Sequence, residues 1–327
     1  MTDLTKVAVV QAASALFDTP KAIRRAVSLM QECARHGAEL AVFPEAFIGG
    51  YPKGAGLDSY VGRRTPQGRE LFRRYFDSAV ELDGPELREL GEAARDGELT
   101  VVIGVIERLG YTLYCTAVTI GPTGQILNIH RKLMPTGSER LIWGFGDGST
   151  IDVVDTPVGR VGAVICWENY MPLLRYAMYA QQIELYCAPT VDDRPTWLPT
   201  MTHIALEGRV HVLSACQILR KEDIPAELEP ELPEDQQLAL RGGSAIISPL
   251  GELLAGPLFD EEGILYAEID LADQTRAHLD MDVVGHYGRP DIFQLQVDRQ
   301  PKQPVTWLDN PVALAGQGGV HTAKAPN

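Results

Sequence analysis

Cys166 sits where two patterns meet. Before it, Val161, Ala163, Val164 and Ile165 form a near-continuous apolar run, the mark of a strand buried on both faces. After it, Pro172 suits a first helical turn, and Leu173, Leu174, Ala177 and Met178 recur at helical spacing. A thiol at such a junction faces unpaired backbone N–H groups, which lower its pKa and can cradle an oxyanion. That setting suits a nucleophile. A free cysteine can equally be a small buried hydrophobe.

Two further strands end on a polar group. Glu45 follows Leu40-Ala-Val-Phe43-Pro44, and Lys132 follows Ile126-Leu-Asn-Ile-His-Arg131. Each alone could be a solvated loop charge. In open α/β sheets, however, functional groups gather at the carboxyl ends of strands, where loops vary over a rigid base. Three reactive groups in that one situation point to a shared site.

The elements that must position them can be read in order. Lys6–Ala12 reads as a buried strand. Pro20 to Arg35 reads as an amphipathic helix with Ile23, Val27 and Met30 on one face, closed by Gly37. Leu40–Phe43 is a strand, Glu86–Arg95 a helix, and Thr100–Ile106 a strand. Residues 112–120 and 125–131 form an antiparallel hairpin around Gly121-Pro-Thr-Gly124. Strands follow at 151–155, 185–188, 212–217, 244–247 and 265–269, with a helix across 200–208. The last two strands are expected to join around Pro249-Leu-Gly251. Residues 221–237, acidic and proline-broken, read as an exposed excursion. We expect one domain over residues 1–299 and a weakly ordered or interfacial tail over 300–327.

Composition narrows the function. The 29 basic and 44 acidic residues give a net charge of −15, which argues against nucleic acid or an anionic membrane as partner. Seven of the carboxylates crowd into residues 222–235, so the excess describes one loop more than a substrate. Five scattered cysteines without a CxxC pair fit reduced thiols in a cytoplasmic enzyme. No apolar run approaches the roughly 18 residues needed to span a bilayer. His130 and His286 lack the company of a metal site and read as packed or hydrogen-bonded. Residues 144–148 lack the flanks of a phosphate loop.

Pro44-Glu45-Ala-Phe47, His130-Arg-Lys132-Leu-Met-Pro-Thr-Gly-Ser-Glu139-Arg140 and Cys166-Trp-Glu-Asn-Tyr-Met-Pro172 resemble the three signature blocks of the nitrilase superfamily, most closely its true nitrilase branch. The similarity runs over roughly residues 6–295 and takes in Ala205-Leu-Glu-Gly-Arg209 and Gly285-His-Tyr-Gly-Arg-Pro-Asp291. It implies an α/β fold, a four-layer αββα sandwich. It also implies roles: Glu45 as general base and acid, Lys132 as electrostatic stabiliser, Cys166 as nucleophile, and Glu139 as the second glutamate that holds the lysine. The backbone N–H of Trp167 would join Lys132 around the developing charge. Neither metal nor organic cofactor is implied, and self-association into dimers or larger spirals is.

Such a set suits a nitrile, whose modestly electrophilic carbon calls for a soft, strong nucleophile. We therefore expect a small organic nitrile with an apolar or aromatic substituent as the substrate, with Tyr51, Trp167, Thr190 and Trp197 lining its pocket. Cyanide hydrolysis, cyanide hydration or amide hydrolysis by the same machinery is the alternative. A non-catalytic oligomeric scaffold is the reading from a different class, suggested by the acidic loop and the extended tail.

Overall fold

The computed structural model describes residues 4–54, 57–60, 62–228, 233, 236–302 and 305. Two mixed sheets face each other. The first has the order β15 (Gly263–Ile269), β1 (Thr5–Gln11), β2 (Leu40–Val42), β5 (Thr100–Leu109), β6 (Thr112–Ile120), β7 (Ile126–Arg131). The second runs β12 (Ile218–Arg220), β13 (Leu238–Ile247), β11 (His211–Cys216), β10 (Leu185–Thr190), β9 (Gly159–Ala163), β8 (Val154–Thr156), with β14 (Leu253–Phe259) also paired to β13. A short pair, β3 (Ser59–Tyr60) and β4 (Arg63–Arg64), stands apart. The helices are α1 (Thr19–Arg35), α2 (Pro66–Asp77), α3 (Pro85–Asp96), α4 (Pro172–Tyr179), α5 (Trp197–Gly208) and α6 (Ala272–Ala277).

The layering follows from strand alternation, since successive side chains point to opposite faces. In β1, Val7 and Val9 join the core between the sheets, together with Leu185, Cys187 and Leu213 of the second sheet. Ala8 and Val10 point the other way, beneath Ile23, Met30 and Leu90 of α1 and α3. In β10, Tyr186 and Ala188 turn outward under Met178 of α4 and Met201 and Ile204 of α5. Three apolar layers thus separate four layers of structure, αββα. Each fully buried valine or leucine in them contributes about 1.5–3 kcal/mol. α1 is capped by Asp18, which accepts from the Lys21 N–H, and it stops at Gly37, whose φ of +76° suits the residue after a helix end.

Several expectations needed correction. α2 was missed because its polar face outweighs its buried Leu71 and Tyr75. The turn at 249–251 leads into β14, not β15. β14 pairs with β13, whereas β15 crosses to pair with β1 in the other sheet. Alternation within a segment cannot reveal which sheet it joins. The strand expected at 151–155 begins at Val154. Ile224 and Leu228 of the acidic segment are buried in the inter-sheet core, so it is not wholly an excursion. Its residues 229–232, 234 and 235 lie outside the described residues, as do 303, 304 and 306–327 of the expected tail.

Candidate active site

The three strand ends converge between the two sheets. Glu45 lies in the turn after β2, in a backbone tightly held to its neighbours. The Gly104 N–H donates to the Pro44 carbonyl at 3.2 Å, and Gln217 Nε2 donates to the Glu45 carbonyl at 2.6 Å. Ala46, the next residue, has φ +50°. Lys132 leaves β7, and its N–H donates to the Cys115 carbonyl at 2.8 Å. Cys166 opens a 3₁₀ turn, Cys166–Tyr170, directly after the β9 run, with φ +50°. A left-handed conformation at a non-glycine residue is costly, and its cost is met here by a dense set of bonds. Asn169 Nδ2 donates to the Val164 carbonyl at 2.9 Å and to the Cys166 carbonyl at 2.7 Å, while Glu168 Oε2 accepts from the Ile165 N–H at 2.9 Å.

The side chains form one buried cluster. Lys132 Nζ donates to Glu45 Oε1 at 2.6 Å and to Glu139 Oε2 at 2.9 Å, and no part of the lysine side chain reaches solvent. Glu139 also accepts from the Thr136 N–H at 2.6 Å and from Tyr51 Oη at 2.8 Å. It is therefore a buried strut for the lysine rather than a surface ion pair. Glu45 Oε1 further accepts from the Cys115 thiol at 3.5 Å. Glu45 Oε2 is buried with no hydrogen-bond partner among the described residues. Thr190, at the end of β10, donates its hydroxyl to Cys166 Sγ at 3.2 Å.

Charge in this dry cluster sets the resting protonation. Burial pulls the Lys132 ammonium down, but the surrounding acids, Glu45 foremost, outweigh it and hold its pKa well above the ordinary value. Burial, with help from Glu139, raises the Glu45 carboxyl, and Lys132 offsets only part of that. Burial and the Glu45 charge push the Cys166 thiol upward. This corrects the expectation of a lowered thiol pKa: beside a carboxylate and out of water, the resting sulfur keeps its proton. What the arrangement offers is a thiol beside a carboxylate whose second oxygen is free to take that proton. The Trp167 N–H, at the start of the 3₁₀ turn, finds no acceptor among the described residues. It can serve an incoming anion.

The carbon-nitrogen hydrolase family profile matches residues 6–278. The chain is 55% identical over 302 residues to a nitrilase of Bradyrhizobium diazoefficiens, covering 92% of this chain and 94% of that protein. It is 51% identical over 306 residues to a bifunctional nitrilase/nitrile hydratase of Lupinus angustifolius, covering 91% and 87%. The chain belongs to the carbon-nitrogen hydrolases, in the true nitrilase branch. The fold agrees: a carbon-nitrogen hydrolase from Helicobacter pylori superposes with a TM-score of 0.70 at 19% identity, over 88% of this chain and 96% of that one.

In this carbon-nitrogen hydrolase, Cys166 opens onto a cavity of about 200 Å³ lined by Tyr51, Lys53, Glu139, Trp167, Asp192 and Arg194, among others. Polar groups make up much of its wall, whereas a substrate with an apolar or aromatic substituent was expected. Trp167 Nε1 donates to Asp192 Oδ2 at 2.9 Å, and the Arg194 guanidinium lies 4.5 Å from the centre of the Trp167 ring. Arg194 also forms a fork with Asp192, Nε to Oδ1 at 2.8 Å and Nη2 to Oδ2 at 2.5 Å. Trp197 is placed elsewhere. It is buried, its indole donates to Ser214 Oγ at 2.9 Å, and it borders an adjoining cavity of about 390 Å³ whose wall also holds Asp192, Asp193 and Arg194. Sequence reasoning missed Cys115, Lys53, Asp192 and Arg194. Strand period could have placed Cys115, which pairs with Ile106 across the β5–β6 ladder. Lys53 sits in a glycine-rich loop, 48–56, of the kind that can wall a pocket, but nothing local marks Asp192 and Arg194. Among the described residues no group of three or more His, Cys, Asp or Glu could hold a metal ion, and no helix is long and apolar enough to cross a membrane.

Proposed function

We propose that the protein hydrolyses a compact organic nitrile to its carboxylic acid and ammonia, with Cys166 as nucleophile. The observation that carries this reading is the partnerless Glu45 Oε2 in the buried cluster that also holds Lys132, Glu139 and Cys166. Glu45 takes the thiol proton as sulfur attacks the nitrile carbon, and passes it to the nitrile nitrogen to leave a thioimidate. Water then adds to that carbon and gives its proton to Glu45. Lys132 and the Trp167 N–H stabilise the charge on the tetrahedral intermediate. Glu45 returns that proton to the nitrogen, then relays the hydroxyl proton of the intermediate to the same nitrogen, so that the C–N bond breaks, ammonia leaves, and a thioester remains. A second water, deprotonated by the same carboxylate, releases the acid and restores the thiol. The balance is one nitrile and two waters to one acid and one ammonia.

Expulsion of the sulfur instead of ammonia from the tetrahedral intermediate would give the amide. That second reading is favoured by the resemblance to a bifunctional nitrilase/nitrile hydratase. The polar wall of Lys53, Asp192, Asp193 and Arg194 favours a substituent with hydrogen-bonding groups.

Ammonia and amide release from an aryl nitrile, an arylacetonitrile, an aliphatic dinitrile, β-cyanoalanine, cyanide and one amide, with Cys166→Ala alongside, tests both readings. Turnover of organic nitriles that disappears in the variant is expected. Activity on cyanide or the amide alone would change the substrate class, and turnover surviving in Cys166→Ala would sink the mechanism.

Homo-oligomerisation is part of the proposal. It is supported by exposed Leu173, Tyr287, Ile292 and Phe293, which share a cavity of about 760 Å³ that Cys166 does not line. A cytoplasmic location is supported by five free cysteines, all buried.

A further inference from the structure

His130 lies two residues before Lys132 and is almost fully buried. Its Nδ1 is 3.1 Å from the Thr150 carbonyl oxygen, and its Nε2 is 3.0 Å from Glu168 Oε2. A carbonyl only accepts, so Nδ1 must carry a proton. Glu168 is already served by donors: Oε1 accepts from the Leu133 N–H at 2.6 Å and Oε2 from the Ile165 N–H at 2.9 Å. The carboxylate is the form that fits those donors, and a carboxylate also only accepts. Nε2 must therefore carry a proton as well. A neutral imidazole has one N–H; this ring needs two.

The pair joins the two halves of the site. On one side His130 and Leu133 flank Lys132; on the other Ile165 and Glu168 flank Cys166. Glu168 thus ties the lysine strand to the nucleophile turn through two hydrogen bonds, from His130 and Leu133, and braces its own turn with a third, from Ile165, without touching the reacting groups. We propose that His130 is a positioning residue held as an imidazolium, which through Glu168 sets the spacing of Lys132 and Cys166. Loss of its proton slackens the site and places an alkaline limit on turnover.

The surroundings fit that assignment. From the turn after β9 the facing charge is Glu168; from the turn 148–150 it is the Thr150 carbonyl dipole. From β10 the Tyr186 hydroxyl lies near enough to Glu168 for the two to interact, and it is neutral. On its own strand, Arg131 pairs with Glu107, and just beyond it Lys132 pairs with Glu45 and Glu139. Burial alone would pull the imidazole pKa down. The Glu168 charge, its hydrogen bond and the Thr150 carbonyl together outweigh burial and hold it above 6.5.

Two measurements on the full chain test this. In ¹⁵N-histidine-labelled protein at about pH 7.5, where a free histidine is mostly neutral, His130 should show both ring nitrogens protonated. A neutral single tautomer would overturn the proposal. In kinetics, which rest on the nitrile-hydrolysis reading, His130→Gln should lower kcat about 10–100-fold with KM within about threefold, the mark of displaced catalytic groups. The alkaline limb of kcat should leave its wild-type position; a limb that stays put in a folded variant would overturn the proposal. Should the variant not fold, the wild-type protein decides. The His130 titration midpoint and the alkaline limb should coincide, and a gap of more than about one pH unit would count against the coupling. If no nitrile is turned over at any pH, the functional reading fails, and the spectrum still decides the charge.

Discussion

Lys132 Nζ lies 2.6 Å from Glu45 Oε1, and neither side chain exposes any surface to solvent. An ion pair in this setting forfeits the hydration of both charges. It persists because a second acid, Glu139 at 2.9 Å, completes the lysine's surroundings. The lysine therefore does two things: it holds two carboxylates together, and it presents positive charge where an anionic intermediate would form.

Lys132→Gln separates those contributions. It leaves Glu45 and Glu139 buried without their cation, and breaking a buried pair costs about 3–5 kcal/mol. Loss of the ammonium as an electrostatic donor should lower kcat by a further 10²–10³-fold or so in the protein that remains folded. Urea unfolding and ammonia release measure the two losses. A variant within tenfold of wild-type turnover would show that Lys132 is structural only.

The protonation state of the resting site predicts its pH profile. Glu45 must be ionised to accept the thiol proton, and its pKa is raised by burial above the ordinary carboxylate value of 4.5. Activity should thus be full well above that raised value and fall away as pH drops through it, so the acid limb of kcat/KM should lie above 4.5. The Cys166 thiol, pushed upward, should react slowly with iodoacetamide at neutral pH, its rate still climbing at about pH 8.5, where an ordinary thiol is half ionised. A plateau near pH 7 would mean a preformed thiolate and would remove the need for Glu45 as base.

A single methyl group pressed against the backbone of the Glu45 turn should also disable the site. A Cβ at Gly104 on β5 would lie 2.4 Å from the Pro44 carbonyl, 2.5 Å from the Ala46 nitrogen and 2.7 Å from the Glu45 carbonyl carbon. All three are backbone atoms and cannot swing aside. Gly104→Ala should push the Glu45 turn off the sheet. We expect kcat to fall about 100-fold, since a displacement near 1 Å has that effect. Secondary structure by circular dichroism should be retained. Wild-type kcat in this variant would show that the turn position does not matter.

Strand ends carried most of what could be read in advance. Glu45, Lys132 and Cys166 each follow an apolar run whose period marks a buried strand, so their common location was legible. Glu139 and Trp167 were reached through resemblance rather than spacing. Asp192 and Arg194 were not legible: they meet Trp167 only because β10 brings residues 190–194 alongside the nucleophile turn, 25 positions away in sequence. Trp197 was expected in the same pocket because it is near Thr190 in sequence, but α5 begins at that residue and turns its indole to Ser214. Likewise the partner sheet of β15 is a matter of topology, and no local pattern encodes it.

Assembly offers the last prediction. The segment beyond Asp291 places Ile292 and Phe293, 56% and 75% exposed, beside Leu173 and Tyr176 of α4. An apolar surface of this kind is costly to leave in water. The chain is then anchored at its turn with residues 147–152: Arg299 pairs with Asp152, and the Lys302 N–H donates to Asp147 Oδ2 at 2.7 Å. If neighbouring subunits meet on this surface, Phe293→Glu should lower the mass seen by light scattering while ellipticity stays constant, because a charge is hard to bury unpaired. Ending the chain near Gln300 keeps Phe293 and removes the tail. A fall in mass there would give the tail a share in the contact, and an unchanged mass would rule it out. Should Phe293→Glu leave the mass unchanged, this face is not where copies of the chain meet.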